Sequence, residues 1–249
     1  IADAVRFGNG MGDIDRGVGV SSFERELEAS RYWIQNMVGQ GMSDSLYDLS
    51  GYNDNSDNVG APPRMAAEMN RQEDGGIWDR IYLGFHSNAD GGAGTARGAM
   101  GLYDNRGTAL KQDRQKDYGL VVAREINQDM AALDAGVLLS ETWANNSADM
   151  YGSAYGELYG TMNDEMNSTI IEVAFHNNEE DAKFLKSPVA RRLIAMSSYQ
   201  GIVKHLATNN AAVPLALLPE PPTSVRAVNS GVGRLTLSWT APVSGSAYG

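Results

Sequence analysis

Two short apolar runs, and the long amphipathic stretch between them, constrain this chain more than any other feature. The run IYLGFH occupies residues 81–86 and STIIEVAF occupies residues 168–175. Each is short and rich in β-branched or aromatic residues, which reads as a buried strand. Between them, Leu120, Ala123, Ile126, Met130 and Leu133 recur at helical spacing with charges interspersed. That pattern predicts one long helix over residues 108–133. Strands alternating with long helices indicate an α/β fold: a central sheet, mostly parallel or mixed, flanked by helices.

Weaker signals fill in the rest. Residues 21–38 read as a helix, with Ser22 as its cap and Glu24 and Glu26 in the favourable first turn. Residues 47–64 are rich in Asn, Asp, Gly and Pro, as in a long irregular connection. A short helix follows in PRMAAEMNRQ, with Pro63 in its first turn. Residues 96–105, 137–142 and 155–162 are lesser strand candidates. EEDAKFLK predicts a short helix, and Pro188 opens a last one with Val189, Leu193, Met196, Val203 and Leu206 on one face. After it the composition changes. Residues 209–218 are linker-like, rich in Ala and Pro. Beyond them Leu235, Leu237 and Trp239 alternate as in a strand, with Gly231 and Gly233 at a turn. The chain therefore divides into a main unit at 1–208, a linker at 209–218 and the beginning of a β module at 219–249.

Charge narrows the range of partners. Asp plus Glu number 31 against 20 Lys plus Arg, a net charge of -11. Nucleic acid needs a basic surface, so it is excluded as the main partner, and docking to an anionic membrane has no support. The chain has no cysteine, which removes disulfides, thiolate metal sites and a thiol nucleophile. No apolar run approaches the ~20 residues needed to span a bilayer.

The candidate chemistry lies in the histidines and one carboxylate. His86 ends the first apolar run and precedes SNADGGAGTARG, a small and flexible segment suited to admitting a ligand. Strand ends in α/β sheets are where sites form. The plainer reading is a strand-end histidine bonded to backbone. Glu172 interrupts TIIEVAF. Burying a carboxylate there is costly unless something positive faces it: a metal, a catalytic proton or an Arg or Lys. If its strand continues, Glu172, Ala174 and His176 share a face, which would permit a metal on His86, Glu172 and His176. His205, near the end of the last helix, reads as structural, a cation complementing the helix dipole.

These residues carry a resemblance. IYLGFHSNA is similar to the SxHxNA strand end of the zinc-dependent N-acetylmuramoyl-L-alanine amidases of the amidase-3 type. IIEVAFHNNEEDAKFLKSPVARRLIAMSSYQGIVKHL resembles their closing segment, with a Glu in an apolar strand, then Phe, Asn, an acidic helix start and a final helix. The resemblance covers about residues 1–208. In the same way, PPTSVRAV followed by LTLSWTAP resembles the opening strands of a fibronectin type III module, which needs roughly 100 residues when whole.

The resemblance implies a concrete activity. Such enzymes hydrolyse the amide between the lactyl group of N-acetylmuramic acid and the L-alanine of the peptidoglycan stem peptide. Two His and one Glu hold a zinc ion and leave a position for water. His86 matches the second zinc histidine. Glu172 matches the catalytic glutamate, which takes the water's proton and passes it to the leaving amine. His176 falls where the family has no ligand. A peptidoglycan substrate, a secreted, periplasmic or cell-surface location and further extracellular domains on the chain go with it. The match departs at the family's first zinc histidine, in a GHGG-like turn, and at the Glu that opens the next helix. No His precedes His86. RFGNGMGD puts Asn9 at the histidine's place and Glu24 at a helix start. Either those ligands lie upstream of Ile1, in a chain cut at both ends, or the site is degenerate and the fold serves as a surface structural or binding protein.

Overall fold

The computed structural model describes residues 29–35, 42–49, 51, 54–74, 76–133, 142–159, 161, 165–217 and 222–241. Asn9, Glu24 and most of the predicted strand at 137–142 lie outside them. So does the start of the predicted 21–38 helix, whose described part is α1, Ala29–Trp33.

The two apolar runs are neighbouring strands. β1 spans Ile81–Asn88 and β4 spans Asn167–Phe175. With β2 (Met100–Asp104) and β3 (Met150–Ser153) they form a mixed sheet in the order β1-β4-β2-β3. β4 is parallel to β1 and antiparallel to β2, and β3 is parallel to β2. Every residue of β4 is buried, as expected for a continuous apolar strand inside a sheet. β1 is a partial correction. It lies at the sheet edge and only Gly84 is buried along it.

The long helix α3, Ala109–Leu133, forms as its periodicity predicts. Tyr118, Val122, Ala123, Ile126 and Met130 face Ile171 and Val173 of β4 in the main core. α5 (Glu179–Lys186) and α6 (Pro188–Asn209) also begin and end close to expectation. Asn178 caps α5 by accepting from the backbone N–H groups of Glu180 and Asp181, and Ser187 caps α6.

The buried face of α6 differs from the predicted one. Leu193 is buried as expected, but Val189 is exposed, and Ala190, Ile194, Ser197, Gly201 and His205 join the buried face. The reason is close helix packing. A Cβ on Gly201 would lie 2.8 Å from Val122 Cα, so small residues let α6 approach α3. The Ser197 hydroxyl then donates to Asp129 across the seam at 2.7 Å.

Helix α2 overturns the expectation of an irregular connection. It spans Asp54–Gln72, with Pro62 and Pro63 inside it. Proline at position 62 cannot bond the carbonyl of Asn58. That carbonyl accepts instead from the Ser30 hydroxyl of α1, at 2.8 Å, so a tertiary contact replaces the lost helical bond. The predicted strand at 155–162 is also corrected. Its first part is a short helix, α4 (Gly156–Tyr159), with Leu158 fully buried against Met100, Leu102 and Ile170. α4 rests on the sheet face opposite α3 and carries α2.

β5 (Thr223–Gly231) and β6 (Arg234–Thr240) pair as an antiparallel hairpin around Val232 and Gly233. Gly233 has a φ of +69°, which suits the turn. Leu235, Leu237 and Trp239 alternate as expected and are exposed.

The seam between α3 and α6 yields a test. Alanine normally improves a helix interior over glycine. Gly201→Ala is expected to destabilise the protein by about 1–3 kcal/mol because the new methyl meets backbone. Urea unfolding monitored by circular dichroism measures it, and a stabilised variant would refute the close packing.

Candidate active site

The parallel pairing of β1 with β4 sets His86 directly opposite Glu172, and Gly84 opposite Ile170. Strand geometry puts Tyr82, Gly84 and His86 on one face of β1 and Ile170 and Glu172 on the same face of β4. α4 lies over that face. A register irregularity between His86 and Asn88 ends the regular pairing, so His86 stands at the mouth of the sheet.

Glu157 of α4 meets His86 there. Both of its carboxylate oxygens lie close to His86 Nε2, at 3.0 and 3.1 Å. The Tyr82 hydroxyl donates to the same carboxylate at 3.5 Å. A Cβ at residue 84 would lie 2.5 Å from Glu157 Oε1, so glycine is what leaves room for this side chain. Glu157 holds the His86 pKa above its ordinary value, chiefly through that bond, against the opposing effect of burial. Burial, then Glu157, pushes the Tyr82 phenol up.

Glu172 is 7% exposed, and its Oε2 atom has no hydrogen-bond partner. Burial raises its pKa. The charge on Glu157 adds to the shift, while His86 and His176 oppose it. Among the described residues, no Arg or Lys pairs with Glu172 or Glu157. No ion pair among the described residues accounts for the carboxylate in β4.

His176 does not continue the strand. It is the first residue after β4 and is exposed. Its backbone N–H donates to Asn88 O at 2.8 Å, and its Nδ1 lies 3.1 Å from the Ser87 hydroxyl. His86, Glu172 and His176 share one patch, but no group of three or more His, Cys, Asp or Glu among the described residues is arranged to hold a metal. A metal on those three alone is thereby set aside. His205 is structural, though not as a helix-end cation. It is 1% exposed and stacks on Tyr118 with ring centroids 4.7 Å apart. Burial lowers its pKa and favours the neutral ring.

The loop after β1, expected to be flexible, is tied down. Asp90 accepts from the backbone N–H groups of Gly94, Thr95 and Ala96 and from Asn177 Nδ2. Those bonds, led by that from Ala96, hold its carboxyl at about 2. Asp181 secures the far end by accepting from the N–H groups of Gly98 and Phe175 and from Arg97 Nε. Glu157 is the functional candidate that sequence reasoning missed. Its only signal was a lone acid among small and aromatic residues, YGELYG, inside a stretch taken for a strand.

A buried orphaned carboxylate oxygen and an outward imidazole, with no basic side chain between them among the described residues, fit one edge of a cation site. Nitrogen from His and oxygen from Glu are donors that zinc accepts.

The sequence matches the N-acetylmuramoyl-L-alanine amidase family over residues 76–204, just over half of the chain. No curated protein sequence matches it. Among solved structures, it is similar to the CwlD amidase of Clostridioides difficile, determined in complex with the GerS lipoprotein. The identity is 17%, over 74% of this chain and 85% of that one, with a TM-score of 0.45. The amidase Ami1 of Mycobacterium abscessus shows 21% identity, over 58% of this chain and 61% of that one, with a TM-score of 0.38. AmiC2 of Nostoc punctiforme shows 18% identity, over 57% and 63% of the respective chains, with a TM-score of 0.39. These likenesses are loose, and the family match stands without them.

Glu172 also leaves a thermodynamic signature. With a raised folded-state pKa, its contribution to stability is fully present below the unfolded value of 4.5. It is lost as pH rises through the folded value, because the unfolded chain ionises first. Glu172→Gln is therefore expected to raise the melting temperature of the metal-free protein at pH 8. At pH 4 it should change it little. Calorimetry at the two pH values measures this, and an equal effect at both would refute the burial argument.

Proposed function

We infer the reaction from one premise: the chain belongs to the N-acetylmuramoyl-L-alanine amidase family. Enzymes of this family hydrolyse peptidoglycan in the cell wall and are in general zinc-dependent. On this reading the chain cleaves the bond between N-acetylmuramic acid and the L-alanine of the stem peptide, with His86 as one zinc ligand and Glu172 as the proton carrier. The observation that carries the reading is the Glu172 carboxylate, buried with an orphaned oxygen and paired in register with His86.

Zinc, when bound, supplies Lewis-acid polarisation of the amide carbonyl and lowers the pKa of an attacking water. The chain's own residues do the rest. His86 presents its ring at the open end of the sheet, where substrate can reach it. Glu172 takes the water's proton, and its raised pKa suits it to hold that proton and deliver it to the leaving amine. Burial strengthens its interaction with charge developing beside it. The remaining protein ligands belong to the part of the family's site that precedes His86. A reading as a binding protein that keeps only the fold is not favoured, because a buried, unpaired carboxylate is costly to retain for binding alone.

No helix among the described residues is long and apolar enough to cross a membrane. Wall hydrolases of this family are generally extracellular or at the cell surface, and that location is proposed for this chain. The β5–β6 hairpin is read as the start of a fibronectin type III module, joined through residues 209–218.

In the full-length protein, Glu172→Gln is expected to keep fold and zinc content while lowering release of soluble fragments from purified peptidoglycan by at least ~100-fold, the worth of a general base. His86→Ala should lose the zinc as well. Near-normal turnover by Glu172→Gln would remove the residue from the mechanism.

A further inference from the structure

We propose that Glu157 is the positioning carboxylate of His86, a residue that acts on the metal site through the imidazole. Three same-face positions of β1 converge on it. Tyr82 donates to its carboxylate, Gly84 leaves the space it occupies, and His86 Nε2 meets both of its oxygens.

The support beneath Glu157 is built as well. Leu158, its neighbour in α4, is fully buried. The Thr161 hydroxyl, just beyond α4, donates to Leu158 O at 2.9 Å and lies 2.7 Å from Ser168 Oγ of β4. β4 therefore holds α4, and α4 holds Glu157, in one frame with Glu172. The second indication that this patch takes a cation is the Glu172 Oε2 atom, buried without a partner on the same face.

The chemistry follows from the two nitrogens of imidazole. In the neutral ring one carries the proton and the other the lone pair. A carboxylate accepting from Nε2–H fixes that tautomer, so the lone pair resides on Nδ1, and it makes the ring a stronger ligand. Tyr82 holds the carboxylate in turn. Glu157 thus orients His86 before any metal arrives.

The proposal rests on His86 being a metal ligand, so the experiment separates the two ideas. The full chain is titrated with Co2+, followed by its visible absorption, with Zn2+ in competition. Imidazole 15N shifts of the metal-free protein report the tautomer of His86 at a pH where the ring is neutral. Wild type should show the Nε2–H form. Glu157→Ala should shift it toward a mixture and weaken metal binding by about 10–100-fold. Gly84→Ala, which displaces the carboxylate without removing it, should do the same. Glu157→Gln keeps an acceptor and should fall between them, and it serves if the alanine variant does not fold. An unchanged tautomer and unchanged metal affinity in the Glu157 variants, with binding still abolished by His86→Ala, would overturn this proposal and leave the amidase reading intact. Metal binding that His86→Ala does not diminish, or no metal binding by wild type, would overturn both.

Discussion

The parallel register between β1 and β4 is the constraint on which the rest depends. It sets His86 beside Glu172 and Gly84 beside Ile170. Side chains alternate along a strand, so a slip of one residue would turn Glu172 toward α3 and take His86 off the face beneath α4. Burial enforces the register. Ile171 and Val173 sit in the core under α3 and α6, and Ile170 sits under Leu158 of α4. Neither set tolerates exchange with the other.

That register concentrates negative charge at one end of a dry strand. Glu172 is buried without a partner and Glu157 approaches from α4, while the arginines nearby are already engaged. Arg97 pairs with Glu180 and Asp181, and Arg106 with Asp104. Acids such as Asp90, Asp104 and Asp181 are neutralised by cations or backbone donors, and among the described residues Glu172 has no such partner. Burying a carboxylate without such compensation costs stability.

Much of the fold was legible because its signals are local. The amphipathic period of α3, the Asn178 cap of α5 and the Pro188 start of α6 depend on residues a few positions apart. Where reading failed, a distant partner had intervened. The proline pair suggested a helix start at residue 63, yet Ser30 takes over the carbonyl that Pro62 abandons, and α2 begins at Asp54. The sequence pattern places large residues on the apolar stripe of α6, of which Leu193 is buried and Val189 is not. Contact with Val122 selected Gly201, and Ser197 is drawn to Asp129 of α3. The segment YGELYG has the aromatic content of a strand, but Leu158 finds its burial site beneath a helical turn.

The sequence by itself determined the α/β class, the two main strands, the structural standing of His205 and the family, and it singled out His86 and Glu172 as candidates. Each of these is written in neighbouring residues or in motifs read along the chain. Only the tertiary structure decided that no Arg or Lys among the described residues pairs with Glu172, that His176 leaves the strand, and that Glu157, some seventy residues beyond His86, closes on it. The physical reason is that pairing and burial are properties of space. Which groups share one patch, and which of the described ones remain uncompensated, is set when β1, β4 and α4 come together.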